Sequence, residues 1–287
     1  MKPETKTHVT TRTEFVEADG IRFAYRRFGE DGGIPLIFLQ HFRGGLDHWD
    51  PLVTDGLAAG RPVILFDNAG VASSSGETPD TIEAMGDHAA AFIEAIGLTQ
   101  LDVLGFSIGG CVAQALTLRH PDRVRRLVLV GTTPRAGQLE DRHPDVSEVA
   151  GHPVPTIEDF LLLFFEPSAT SQRAGRAFWE RRHKSTVDVD PPSSPQAALA
   201  QRTPLTEWAG VRGERFRDLA SIQQPTLVVN GHHDIMLPTI NFYILSQHIP
   251  AAQLTVYPDS GHGSLFQYPR LFVDEVSRLL DADPPFT

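Results

Sequence analysis

The chain has 287 residues, 41% hydrophobic and 21% charged, a balance with enough apolar material for a buried core. Its 36 acidic residues against 25 basic ones give a net charge of −11, which disfavours polyphosphate and anionic lipid, so neither nucleic acid nor a membrane surface is expected as partner. A single cysteine, Cys111, excludes an intrachain disulfide. No apolar stretch has the length needed to span a bilayer, and Met1 to Glu14 lack the apolar core of a signal peptide. The expectation is a soluble cytoplasmic protein acting on a small-molecule substrate. Oligomeric state stays open, and a homo-oligomer is compatible with the sequence.

In chain order, Glu14 to Val16 and Ile21 to Tyr25 read as short strands around a turn at Asp19-Gly20. Pro35 to Leu39 is continuously apolar and flanked by turn residues, the mark of a strand buried on both faces. Pro62 to Phe66, Leu101 to Leu104, Val124 to Val130, Thr226 to Val229 and Gln253 to Tyr257 follow the same rule. Helical spacing covers Ile82 to Ile96, a stretch around Cys111 to Leu118 that ends near His120-Pro121, and Leu271 to Leu280. Buried strands alternating with helices indicate an α/β protein with a mostly parallel, doubly wound sheet.

The rhythm breaks after Pro134. Pro144, Pro153, Pro155, Pro167 and the cluster Pro191-Pro192-Ser193-Ser194-Pro195 interrupt helical pieces such as Phe160 to Phe165 and Phe178-Trp179. This stretch is too long for a plain loop and reads as an inserted helical lid. The expected division is a core of residues 13–134 and 220–287 with a lid of residues 135–219. The run Phe160 to Phe165 carries more apolar surface than an exposed connector needs, so Leu162 and Phe164 are expected to face the substrate.

Chemistry enters at Gly105-Phe106-Ser107-Ile108-Gly109. A G-x-S-x-G pattern between a strand and a helix is a nucleophile elbow, in which a tight turn lifts the serine hydroxyl above the sheet. A serine needs a base, and the base works better with a carboxylate that fixes its tautomer. Active sites on such sheets lie at the carboxyl ends of strands. His262, in Asp259-Ser260-Gly261-His262-Gly263, follows one strand; Asp234 follows another in Asn230-Gly231-His232-His233-Asp234. Asp259 is the rival acid, but only three residues from His262 it is better placed to shape the turn. His232, His233 and Asp234 admit a metal reading. Adjacent residues at a strand end point apart, however, and no other His or Cys cluster has metal-site spacing, so no metal is expected. Cys111, just beyond the elbow, is expected to be a packed, inert thiol.

Ser107, Asp234 and His262 stand in the chain order Ser, Asp, His, and in this the sequence resembles the α/β-hydrolase superfamily. The likeness runs from about Phe15 to Leu280 apart from the lid. Within the superfamily it is most similar to the small esterases and cofactor-free haloperoxidases, whose elbows read like Gly105 to Gly110. The resemblance implies an oxyanion hole with one N–H from Ile108 and a second from the loop His41-Phe42-Arg43-Gly44-Gly45, where the family commonly writes His-Gly-x. Counted forward to Trp49, this loop is about one residue short, which puts Phe42 at the donor position with Arg43 as the alternative. Arg43 also places a cation at the mouth of the site, for an anionic substrate or a surface ion pair. In Asp67-Asn68-Ala69-Gly70-Val71-Ala72-Ser73, Ala72 replaces a glycine of the family's turn, which bears on backbone shape and not on chemistry.

The implied activity is hydrolysis of a small ester, thioester or lactone through an acyl-enzyme, with neither metal nor organic cofactor. Alternatives are perhydrolysis with peroxide as acyl acceptor, hydrolysis of a carbon–carbon bond beside a ketone, and a non-catalytic ligand receptor on the same fold.

Overall fold

A computed structural model describes residues 6–282. Eight strands, β1 (Glu14–Ala18), β2 (Ile21–Gly29), β3 (Leu36–Leu39), β4 (Pro62–Phe66), β5 (Leu101–Phe106), β6 (Val124–Val130), β7 (Thr226–Gly231) and β8 (Ala252–Tyr257), form one sheet in the order β1-β2-β4-β3-β5-β6-β7-β8. Strands β1 and β2 pair antiparallel with each other, β2 pairs antiparallel with β4, and every later pairing is parallel. The helices are α1 (Pro51–Ala58), α2 (Ile82–Ala95), α3 (Ile108–Arg119), α4 (Val146–Val149), α5 (Ile157–Phe164), α6 (Ala169–Arg182), α7 (Pro195–Ala200), α8 (Arg202–Trp208), α9 (Ile240–His248), α10 (Ser264–Gln267) and α11 (Pro269–Asp281). This is the α/β-hydrolase architecture expected from the sequence, with α4 to α8 inserted between β6 and β7.

Strand pleat divides the apolar side chains between two cores. Ile37, Ile64, Val103 and Leu129 join α2, α3 and α9 on one face; Phe38, Leu65, Leu104 and Val130 join α1, α11 and the lid helices α5 and α6 on the other. Two helices, α1 and α9, carry no strong stripe in the sequence. Helix α1 does have a start signal: Asp50 caps it by accepting from Leu52 N–H at 3.0 Å, and Pro51 occupies its first turn.

The lid is fastened to the core at several polar points. Arg181 of α6 grips buried Asp50 through Nη2 at 2.6 Å and Nε at 2.9 Å. Trp208 of α8 donates its indole N–H to Thr133 O at 3.2 Å. Asp190, on the lid segment between α6 and α7, accepts from Ser73 Oγ at 2.5 Å and from Leu46 N–H at 2.9 Å. Beside it lies Asp67, wholly buried, which accepts from Ser73 N–H at 3.2 Å through Oδ2 and has no partner for Oδ1 among the described residues. Ala72, in the same turn, sits at φ 47°, the left-handed region that the family's glycine would occupy without strain.

Burial first, and then the neighbouring Asp190 carboxylate, push Asp67 well above the usual carboxylate range, while Ser73 N–H and Arg26 partly offset them. A carboxyl raised in the folded state contributes stability at pH below its unfolded value of about 4, and that contribution is lost as pH rises through the folded value. Asp67→Asn should therefore melt with wild type near pH 4 and be more stable than wild type at pH 8. Thermal melts across that range provide the check.

Candidate active site

Strand β5 ends at Phe106, and Ser107 turns the chain with φ 59° and ψ −124° into α3. The turn has no room for side chains. A Cβ on Gly105 would lie 2.3 Å from Gly109 O, one on Gly109 2.0 Å from Leu39 O, and one on Gly110 2.5 Å from the Thr132 side chain. Ser107 N–H donates to Val130 O at 2.9 Å, and Ser107 O accepts from Thr132 Oγ1 at 2.8 Å and Gly110 N–H at 2.9 Å. The serine backbone is thus held on both sides while its hydroxyl faces the cavities described below.

His262 follows β8 and Asp234 follows β7, and their side chains meet: His262 Nδ1 lies 2.7 Å from Asp234 Oδ2. An ionised carboxylate only accepts, so Nδ1 carries the proton and Nε2 presents its lone pair. Asp234 Oδ1 is fixed in turn by Met236 N–H at 2.8 Å and Leu237 N–H at 2.9 Å. His262 is 1% exposed, flanked by Phe106 and Phe164, and its Nε2 has no hydrogen-bond partner among the described residues. The histidine loop is also tied to the lid, because Gly263 N–H donates to Phe164 O at 2.8 Å. Asp259 sits elsewhere: at φ 46° it shapes the turn and accepts from Ser168 Oγ at 2.8 Å. His233 points to Glu166, its Nδ1 3.0 Å from Oε1, rather than to Asp234.

The loop after β3 is held by Gln40, whose amide bridges His41 N–H and Gly45 O, and by His41, whose Nδ1–H donates to Phe42 O at 2.8 Å. Burial pushes the His41 imidazole down to about 3, so it is neutral. Phe42 N–H makes no hydrogen bond among the described residues, and Ile108 N–H, in the first turn of α3, has no intrahelical acceptor. Arg43 lines a narrow cavity at Ser107, and its polar groups are engaged within the protein. Its N–H donates to Gln201 Oε1 at 2.7 Å, which removes it as an alternative oxyanion donor. Its guanidinium, expected at the mouth, donates instead to His152 O at 2.6 Å and Pro153 O at 2.9 Å, inside the lid.

Two cavities reach Ser107. The narrow one, about 50 Å³, is lined by His262, His41, Phe160, Leu163 and Phe164. The wide one, about 380 Å³, is lined by Phe42, Ile108, Leu139, Leu205, Trp208 and Met236, with Arg142 and Arg202. Cys111 also borders the wide cavity, its thiol pushed up to about 11 by burial. Leu162 does not belong to this surface, contrary to expectation. On α5 the cavity residues 160, 163 and 164 share one face by helical period, and Leu162 falls off it, 44% exposed. Sequence reasoning did not single out Arg142, Arg202 or Met236 as site residues; no motif marks them, since only the packing of the lid brings them to Ser107.

A family model described as alpha/beta hydrolase fold matches residues 34–269. The chain belongs to that family. This hydrolase is similar to an alpha/beta hydrolase fold protein from Chitinophaga pinensis, with 43% identity, a TM-score of 0.91, and coverage of 97% of this chain and 100% of the other. It is similar to Est816, described as an N-acyl homoserine lactone degrading enzyme, at 27% identity and a TM-score of 0.71 over 92% of this chain and 99% of that one. It is also 27% identical over 267 residues, 92% of each chain, to the 2-hydroxymuconate semialdehyde hydrolase of Pseudomonas sp. (strain CF600). Among the described residues no helix of the hydrolase is long and apolar enough to cross a membrane.

Helix face sets the expected behaviour of α5. Leu162→Lys should change stability by less than about 0.5 kcal/mol, as an exposed substitution. Leu163→Ala should cost about 2–3 kcal/mol, as a large-to-small change at a buried position. Urea denaturation of the two variants distinguishes them.

Proposed function

We propose that this hydrolase cleaves a small ester, thioester or lactone through a covalent acyl-enzyme on Ser107. The observation that carries the reading is the hydrogen bond from His262 to Asp234, made beside a serine held in left-handed backbone geometry. In this reading His262 Nε2 takes the Ser107 proton as Oγ attacks the carbonyl carbon, and Asp234 balances the imidazolium charge. Ile108 and Phe42 N–H groups receive the tetrahedral oxyanion, whose charge they stabilise without reorganisation. His262 then returns the proton to the leaving oxygen or sulfur. Water, deprotonated by the same imidazole, releases the acid and restores Ser107.

The two cavities support a division of labour. His262 must reach the leaving atom, and it lines the narrow cavity but not the wide one. The leaving group therefore occupies the narrow side and is small, while the acyl chain extends beneath the lid. The likeness to a lactone-degrading enzyme fits acyl transfer. The likeness to a 2-hydroxymuconate semialdehyde hydrolase favours a second reading, hydrolysis of a carbon–carbon bond beside a ketone, which would use the same three residues.

A fluorophosphonate probe should label wild type at Ser107 and leave Ser107→Ala unlabelled; persistent labelling removes Ser107 from the reaction. Asp234→Asn should lower kcat on p-nitrophenyl acetate by as much as about 10⁴-fold, the scale of losing a triad carboxylate, whereas Asp259→Asn should have a mild effect. The reverse ranking would transfer the acid role to Asp259.

A further inference from the structure

The wide cavity is lined by two arginines that form no ion pair among the described residues. Arg142 lies in the loop between β6 and α4; its Nε is buried and makes no hydrogen bond among the described residues. Arg202 begins α8 at the rim of the same cavity; it is exposed, and its guanidinium makes no hydrogen bond or ion pair among the described residues. The two are close enough that Arg202 adds to burial in lowering the Arg142 guanidinium, with Asp234 opposing. No Asp or Glu lines the cavity. Asp234, the carboxylate whose field Arg142 feels, is already engaged by His262 and two backbone N–H groups.

Other arginines close to this cavity are paired with carboxylates. On the other side of Trp208, Arg135 and Arg212 are both bonded to Glu83 and Glu207. In a protein of net charge −11, two neighbouring arginines on the wall of one cavity repel each other, and an anion bound to both relieves that repulsion. The guanidinium fork matches a carboxylate in two parallel hydrogen bonds. The same cavity, which also reaches Ser107, is lined largely by apolar residues, among them Leu139, Ala150, Leu205 and Met236, which suits an anion carried on a hydrocarbon tether.

We propose that Arg142 and Arg202 bind a carboxylate at the far end of the acyl chain, so that the substrate is a half-ester or half-thioester of a short dicarboxylic acid with a small leaving group. This rests on Ser107 being the nucleophile. Hydrolysis of such a half-ester consumes one water at the acyl carbon and releases the diacid and the alcohol; the distal carboxylate takes no part in bond making.

Monomethyl adipate and methyl heptanoate, matched in chain length, test the charge alone when methanol release is followed. Wild type should favour the half-ester by at least tenfold in kcat/KM, the scale of a charge-assisted hydrogen bond. In Arg142→Gln and in Arg202→Gln that ratio should fall to about one. Binding of adipate to Ser107→Ala, followed by titration calorimetry, should weaken about tenfold when either arginine is also replaced, and this readout needs no turnover. Circular dichroism melts establish that the variants fold. If wild type turns over p-nitrophenyl acetate and is labelled at Ser107 but shows no preference for the half-ester, or keeps the preference in both variants, the anion subsite is overturned and the serine mechanism stands. If no ester is turned over while adipate still binds in an arginine-dependent way, the serine mechanism fails and the subsite stands.

Discussion

The left-handed backbone at Ser107 is the constraint around which the rest is arranged. A residue with a side chain at φ 59° costs on the order of 1–3 kcal/mol unless its surroundings leave no alternative. Here β5 arrives from below, α3 departs immediately, and Gly105, Gly109 and Gly110 let the strand, the helix and the β3 loop close to backbone contact. Thr132, at the end of β6, ties the Ser107 carbonyl from the neighbouring strand. That compression brings Ser107 and Ile108, the first residue of α3, to the wall of one cavity, so any relaxation of the turn would move both.

Much of this was legible from the amino-acid sequence, for reasons that differ by element. Strands β3 to β7 stand out because both faces are buried, which demands uninterrupted apolar runs such as Val63-Ile64-Leu65-Phe66. The glycines around Ser107 stand out because a backbone contact admits no Cβ. Helix α9 was not legible: its buried Phe242 and Leu245 are interleaved with exposed Ile240 and Tyr243, so no stripe appears. Leu162 shows the opposite failure. In a run of six apolar residues every position reads alike, and only the packing of α5 on Phe106 and His262 selects 160, 163 and 164.

Arginine is where local sequence reasoning was weakest. Arg43 sits in a loop that chemistry draws attention to, yet its guanidinium is absorbed by two lid carbonyls and its amide by Gln201. It works as a strut between the β3 loop and the lid. Arg142 and Arg202 sit in stretches with no motif, 60 residues apart, and acquire meaning only when the lid brings them to one wall. Charge in this protein is informative through what it lacks as a partner, which is a property of the fold and not of any short window.

The bond from Gly263 to Phe164 has a consequence for how such proteins diversify. The lid carbonyl is a structural part of the histidine loop, so lid and core are not interchangeable parts. A lid grafted from a relative would have to bring an acceptor to the same point. Otherwise it would leave a buried N–H unsatisfied, a penalty of about 1–3 kcal/mol located one residue from His262. Pocket shape and the position of His262 are therefore inherited together, and a replaced lid carries the histidine loop with it.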